Sequence, residues 1–393
     1  MNHLSLSIAG STLAFIASSQ LQALERSWNY QYNNSGQVTV ADGPRTETDD
    51  SISYTYDGAG RRTSVENALG HITRMSNHND RGQPQVLIDA NGTETRLSYH
   101  PRGWLNASTV ISPSGNSAND STVRYSYDNN GLLIKTTLAD NTQLTNEYDS
   151  AHRLIAVSNN QEDRIEYTLD SAGNVIIDHT YDNLNTLTRS SHKAYDELNR
   201  LITITGASGQ VTSFSYDRNG NQASETDGNG NLTVQFTDAL NRKSGSNAAY
   251  SHNMSYFHDS RDNLSTVTDP MGLSTRYSYN VHDELTLLQS PDTGTTSYTY
   301  DNAGNRIVMT DANGITVTTA YDALNRPTHI EHPNPDLDIS YGYDEGSYGK
   351  GRLTSIQDSS GTTLMKYDHR GNLIYQGIDT GEHVFSLAYT YDL

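Results

Sequence analysis

Residues 300–321 read Tyr-Asp-Asn-Ala-Gly-Asn, then Arg-Ile-Val-Met-Thr, then Asp-Ala-Asn-Gly, then Ile-Thr-Val-Thr-Thr-Ala-Tyr. Two runs rich in Ile, Val and Thr are separated by one turn sequence and preceded by another. Gly takes a positive φ at no steric cost, Asn and Asp tolerate it, and an Asp at the first turn position accepts hydrogen bonds from the backbone just ahead. The stretch therefore reads as two short antiparallel strands and two tight turns. Tyr298 and Tyr300 fall on one face of their strand, as do Tyr54 and Tyr56, Tyr125 and Tyr127, Tyr277 and Tyr279, Tyr341 and Tyr343, and Tyr389 and Tyr391. Aromatics at a period of two mark strands, not helices.

The opening phrase returns along the chain. Tyr195-Asp196, Tyr216-Asp217, Thr237-Asp238, His258-Asp259, Tyr279-Asn280, Tyr300-Asp301 and Tyr321-Asp322 stand 21 residues apart at each step (216 − 195, 237 − 216, and onward). The fourth residue after each station is Asn199, Gly220, Asn241, Asp262, Asp283, Gly304 or Asn325. The register begins at Tyr32 and passes Tyr56-Asp57 with Gly60, His78, Tyr99, Tyr127-Asp128 with Gly131, Tyr148 and Leu169. Beyond Tyr321 it continues at Tyr343-Asp344, Tyr367-Asp368 with Gly371, and Tyr391. A fixed period of this size means a repeat architecture. The length of 393 residues, which alone suggests two or three domains, is thus read as one array over residues 30–393. The unequal gaps, up to 28 residues between Tyr99 and Tyr127 (127 − 99), are expected to vary only at turns, and Tyr181-Asp182 falls out of register. Residues 1–29 read as lead-in strands of an incomplete repeat. The alternative for the apolar run Ile8 to Ala17 is a secretory signal, although no basic segment precedes it.

Successive stations lie two strands apart, about 10 Å, too far for their rings to touch. An aliphatic residue after each station (Val38, Leu105, Leu133, Leu154, Val175, Leu201, Leu264, Leu285, Ile307, Leu373) is expected to fill the gap in a Tyr–aliphatic–Tyr ladder. Each cross-strand pair contributes about 0.2–1 kcal/mol, so stability accumulates over many units. The positions expected to carry the architecture are Tyr56, Asp57, Gly60, Tyr127, Asp128, Gly131, Tyr195, Asp196, Tyr216, Asp217, Gly220, Tyr300, Asp301, Gly304, Tyr321, Asp322, Tyr343, Asp344, Tyr367, Asp368 and Gly371.

Only 34% of residues are hydrophobic, and Tyr (26) far outnumbers Phe (5) and Trp (2), so amphipathic rings carry the apolar load and no thick core is expected. A net charge of −20 disfavours nucleic acid and anionic membranes, whose phosphates need clustered Lys and Arg. The chain has no Cys, which excludes disulfides and thiolate-bound metal. No apolar run approaches the roughly 18 residues of a membrane-spanning helix. The stretches 217–221 and 227–231 alternate oxygen ligands as calcium loops do. Gln222 and Gly228 stand where the first would need Gly and Glu, and Leu232 where the second would need Gly, so both read as turns. The 14 His are scattered, with His78 and His258 at ring positions, and no metal or cofactor is expected. Carboxylates recur at turns in every unit, whereas a catalytic site is a singular constellation in a pocket. No enzyme is expected.

Tyr-Asp-x-x-Gly-Arg with an Asp-x-x-Gly half-way on resembles the YD repeat of Rhs proteins, insecticidal toxin-complex shells and teneurins, and Tyr56-Asp57-Gly58-Ala59-Gly60-Arg61 and Tyr321-Asp322-Ala323-Leu324-Asn325-Arg326 are close matches. Tyr343-Asp344 followed by Gly349-Lys350-Gly351-Arg352 is similar too. The resemblance runs from about Tyr30 to the last residue. It implies an all-β chain of tandem β-hairpin repeats forming a curved antiparallel ribbon, part of a hollow spiral shell. It also implies, as partner, the rest of an Rhs-type polypeptide or a C-terminal toxin-like cargo, in a secreted or cell-surface setting of bacterial competition. Two features depart from the family. Its C-terminal Asp-Pro-x-Gly-Arg core has no counterpart in residues 1–393, since Asp269-Pro270-Met271-Gly272-Leu273 reads as a mid-unit turn, and no variable toxin segment is expected within them. The expectation is a non-catalytic shell segment, wall without cargo. The alternative is a cell-surface adhesion surface, with Tyr, Asn and Asp binding a glycan. About 17 units of two strands make roughly 160 Å of sheet, enough for about one turn of a wall roughly 50 Å across. Its unpaired strand edges are expected to favour self-association.

Overall fold

The computed structural model describes residues 26–248 and 252–391. Among the described residues there are 33 strands, from β1 (Asn29–Tyr32) to β33 (Val384–Ala388), and no α-helix. Two three-residue 3-10 turns, Ser117–Asn119 and Pro335–Leu337, interrupt loops. Every strand pairs antiparallel with the next in sequence, so the whole is one open, unclosed meander. Of the lead-in, residues 1–25 lie outside the described residues; β1 is already paired with β2 (Val38–Asp42).

Alternation decides what each face does. In β25 (Gly294–Tyr300), Thr296, Tyr298 and Tyr300 are half-buried while Thr295, Ser297 and Thr299 are exposed. The face bearing the station tyrosines is half covered by its own side chains, and the other is wet. No large side chain is fully buried among the described residues; Ala41 and Ala156 are the buried hydrophobic ones. A single layer with a polar face cannot build a thick core, and the low hydrophobic content follows from that.

The ribbon has two kinds of edge. β25 ends in the station turn 301–304 and leads into β26 (Arg306–Thr310), which ends in the mid-unit turn 311–314 before β27 (Thr316–Tyr321). Odd strands thus end at a station edge and even strands at a mid-unit edge. The 28-residue gap opens, as expected, at a loop, where Ser112 N–H donates to Asp120 Oδ1 at 2.8 Å between β8 (Leu105–Val110) and β9 (Ser121–Tyr127). The 26-residue gap between Leu169 and Tyr195 (195 − 169) does not open at a turn. It is taken up by two long strands, β14 (Val175–Tyr181) and β15 (Leu187–Tyr195), because lengthening a ladder keeps the added backbone groups paired. Tyr181-Asp182, a station phrase, makes the mid-unit turn between them.

The ribbon passes over itself. Arg26 Nη2 donates to Glu284 Oε1 at 2.7 Å, Asn91 Nδ2 to Lys350 O at 3.0 Å, and Thr93 Oγ1 to His369 O at 2.9 Å. His71, between β4 (Arg62–Glu66) and β5 (Ile72–Ser76), meets Asp344, between β29 (Ile339–Tyr343) and β30 (Leu353–Asp358), 25 strands further on (29 − 4). One wrap therefore takes about 25 strands, and the last eight (33 − 25) overlap the first. The expected single turn roughly 50 Å across is thus corrected to a tighter coil, about 40 Å across at about 4.8 Å per strand. Strand twist makes the ribbon climb as it curves, so it need not lie in one plane and can run past its own start.

Candidate functional site

The station turn is the unit from which the wall is made. At Tyr56 the turn closes with Gly60 N–H donating to Asp57 O (2.9 Å) and Asp57 N–H to Arg61 O (2.9 Å). The turn closes on Gly60, whose φ is 78°, and the ladder then slips by one residue between Thr55 and Tyr56, leaving Thr63 as the extra residue of a bulge. Asp57 Oδ1 accepts from the N–H groups of Ala59 and Arg61 (both 2.9 Å), and Oδ2 from Arg61 Nε (2.7 Å). One carboxylate thus satisfies three donors. Asp196, Asp217, Asp301, Asp322 and Asp368 repeat the pattern, with Asn standing for Arg where the sequence has it; Asp128 keeps the two backbone bonds, but Leu132 offers no side-chain donor. At Gly131 the need for glycine is double: φ is 93°, and a Cβ there would sit 2.6 Å from Trp104, which packs against Tyr127.

These bonds leave an electrostatic mark. The backbone N–H of Arg61 foremost holds the Asp57 carboxyl below the usual carboxylate range, and the N–H of Leu132 does the same for Asp128. The side chains of Arg200, Asn221 and Arg242 lead the same effect at Asp196, Asp217 and Asp238. Burial pushes the phenols of Tyr127, Tyr300, Tyr343 and Tyr367 upward.

The station ring ties neighbouring units together. Tyr279 pairs across the bulge with Leu285, and Leu285 O accepts from Tyr300 Oη at 2.7 Å. The aliphatic position therefore links two stations, with its side chain opposite one and its carbonyl bonded to the next. The same bond runs from Tyr56 to Val38 (2.8 Å), Tyr127 to Leu105 (2.9 Å), Tyr195 to Val175 (3.1 Å), Tyr216 to Leu201 (2.7 Å) and Tyr391 to Leu373 (2.9 Å). One position expected from sequence shifts: Arg306, not Ile307, faces Tyr300 and accepts from Tyr321 Oη at 3.1 Å. It begins the strand one residue earlier and is exposed, whereas Ile307 is the half-buried extra residue left where the ladder slips.

The second place of interest is the seam where the wraps overlap. The mid-unit edge of the first wrap meets the station edge of the second, bringing Asp301, Asp322 and Asp344 together with Arg26, Arg45 and His71. The Arg45 guanidinium donates to the carbonyls of Asp322 and Tyr321 and lies 3.6 Å from the Asp301 carboxylate. Arg326 is held between Asp322 (2.7 Å) and Asp344 (2.6 Å), with its guanidinium 4.2 Å from the centre of the Tyr343 ring. Beside them a cleft of about 430 Å³ is lined by Trp28, Pro44, Ile52, Ala303, Ala323 and Leu324. Leu324 is half-buried there, whereas Leu198 (71% exposed) and Leu240 (66%), at the same place in their turns, stand in solvent. Stations Tyr56, Tyr127, Tyr195 and Tyr216 belong to the opposite rim of the first wrap. The sequence did not reveal Arg26, Arg45, Asn91 or Thr93, whose partners are set by the pitch of the spiral. Arg45→Ala is expected to weaken the overlap by about 1–2 kcal/mol, since it leaves carbonyls and a carboxylate without their donor. Faster limited proteolysis of the 43–51 loop and a larger radius of gyration would show it. Wild-type values for both would mean that Arg45 does not hold the seam.

Among the described residues, no helix is long and apolar enough to cross a membrane. Comparison with known proteins agrees with the architecture. Residues 2–168 match the Teneurin YD-shell family, and residues 195–243 and 258–295 match the RHS Repeat family. No curated protein matches the chain. Among solved structures, the chain is similar to the crystal structure of TcdB2-TccC3-TEV (16% identity, TM-score 0.60), over 93% of this chain and 23% of that one. It is also similar to the Photorhabdus luminescens Tc holotoxin pore (16% identity, TM-score 0.68), over 89% of this chain and 21% of that one. Such low identity speaks for the fold alone, and the chain spans less than a quarter of the length of either.

Proposed function

Because this chain is an Rhs/YD-repeat protein with the YD-shell fold, we propose that it forms a length of shell wall around a toxin-like cargo. The structural shell role rests on the family and fold, which are of a non-catalytic kind. The cargo, carried by further Rhs-type sequence or by another polypeptide, is what this reading adds. The observation that carries it is the self-overlap of the ribbon: turns of one wrap dock on turns of the next, so a one-layer sheet surrounds a space instead of lying flat. A wall of this kind works outside the cell that makes it, secreted or on the cell surface. No specific observation favours the glycan-binding alternative, because the station hydroxyls are already donated to backbone carbonyls. Self-association through the outer edges of β1 and β33 fits the same role, since a short wall needs neighbours to close.

The test fuses a short, unstructured, protease-sensitive peptide after residue 393 and follows its cleavage. Scattering should report a hollow particle, and the peptide should be cut at least several-fold more slowly than when free. Cleavage at the free rate on a correctly folded wall would refute encapsulation while leaving the shell fold intact.

A further inference from the structure

A wall of equal units should have no singular constellation, and one unit breaks that rule. In the long-stranded unit, β13 (Arg164–Leu169), β14 and β15 bring His179, Tyr181 and His192 to one face of the sheet. Ile177 pairs with His192 and His179 with Ser190, so the two histidines are diagonal neighbours. Their ring centres lie 6.0 Å apart. Two imidazoles sharing one metal ion at about 2.0–2.1 Å per bond have ring centres roughly 5–6.5 Å apart, from linear to tetrahedral angles. The spacing is that of a two-histidine chelate.

The remaining ring nitrogens are engaged in a way that suits ligation. His179 Nδ1 lies 3.2 Å from Tyr181 Oη, and His192 Nε2 lies 3.4 Å from Ser190 Oγ. If each of these nitrogens carries the proton and donates it to the hydroxyl oxygen, His179 Nε2 and His192 Nδ1 keep their lone pairs for a metal, with oxygen partners fixing the tautomers. Glu166 stands directly across β13 from His179, with Oε1 bonded to Arg164 Nε at 2.7 Å. Among the described residues, no group of three His, Asp or Glu side chains is placed to hold a metal. An ion held by the pair would have these two protein ligands, with water completing its shell.

We propose that His179 and His192 bind one late first-row divalent ion, of the zinc, nickel or copper class that imidazole favours, and so pin β14 to β15 at the one unit where the repeat is out of register. This role differs from wall-building and does not depend on any cargo.

The experiment titrates the intact chain, freed of any affinity tag, with nickel or zinc ions at neutral pH by calorimetry. One ion per chain is expected, with affinity falling at least tenfold in His179→Ala and in His192→Ala. Because 14 histidines are present, a second readout locates the ion: paramagnetic nickel should broaden the ring signals of two histidines, and these should be the signals lost in the two variants. His192 is exposed, so its variant is expected to fold as wild type. No binding, or binding unchanged in both variants, would overturn the proposal.

Discussion

Tyr300→Ala should destabilise the chain by about 2–3 kcal/mol in urea melts, below the roughly 3–5 kcal/mol of a fully buried aromatic because the ring is only half covered. Tyr298→Ser should cost about half as much. Both rings lie on the same face, but they do different things. Tyr300 holds the carbonyl of Leu285 through its hydroxyl at 2.7 Å, and it faces Arg306 across the bulge. Tyr298 packs opposite Met309, with the guanidinium of Arg306 5.6 Å from its centre. Tyr300→Phe isolates the hydroxyl and should cost about 1 kcal/mol. Since units are coupled mainly to their neighbours, hydrogen exchange should speed up first in β24 (Leu285–Ser290), β25 and β26. Equal small losses for Tyr300→Ala and Tyr298→Ser would show that the station ring is not the link between units.

Acid should undo the wall more completely than any single substitution. The carboxyls of Asp57, Asp128, Asp196, Asp217 and Asp238 are all more acidic folded than free, because each accepts bonds from its own turn. Such a group stabilises the fold above its unfolded pKa of about 3.9, and that stabilisation is lost as pH falls through the lower folded value. Each of these turns weakens in the same window, and the effect accumulates along the ribbon. The urea midpoint is expected to be level between roughly pH 6 and 8 and to fall by about half between roughly pH 5 and pH 2. A midpoint that holds below pH 3 would mean that the carboxylates do not secure the turns.

The fold was legible because its cause is local and repeated. A turn such as Asp301-Asn302-Ala303-Gly304 states its own geometry, and the alternation of Tyr298 and Tyr300 states the strand. The ladder was legible only in part. Leu285 was expected to fill a gap with its side chain, but the next tyrosine takes its carbonyl, and sequence says nothing of which backbone oxygen a hydroxyl will reach. The partners across the seam were not legible. Arg45 meets Asp322 across 277 residues, and that separation depends on small twists summed over about 25 strands. A signal was nonetheless present in Asp196-Glu197-Leu198-Asn199-Arg200 and its counterparts at Asp238 and Asp322, where a leucine sits at the tip of a polar turn. The out-of-register phrase at Tyr181 was visible as an anomaly, and its place on the mid-unit edge became clear only from the pairing of β14 with β15.

The overlap of wraps makes the wall behave as a screw thread. Arg45 already reaches two successive turns, bonding the carbonyl of Asp322 and standing 3.6 Å from the carboxylate of Asp301. Suppose one 21-residue unit were gained within residues 195–262. Every later turn would advance by one place, and the turn at Asp301 would arrive where the turn at Asp322 now sits. It carries the same carboxylate and carbonyl, so the thread would re-engage one notch over, losing the leucine at its tip and exchanging the Arg326 guanidinium for the amide of Asn305. Length can therefore change by whole units without reinventing the seam, whereas half a unit would present the wrong edge and jam it.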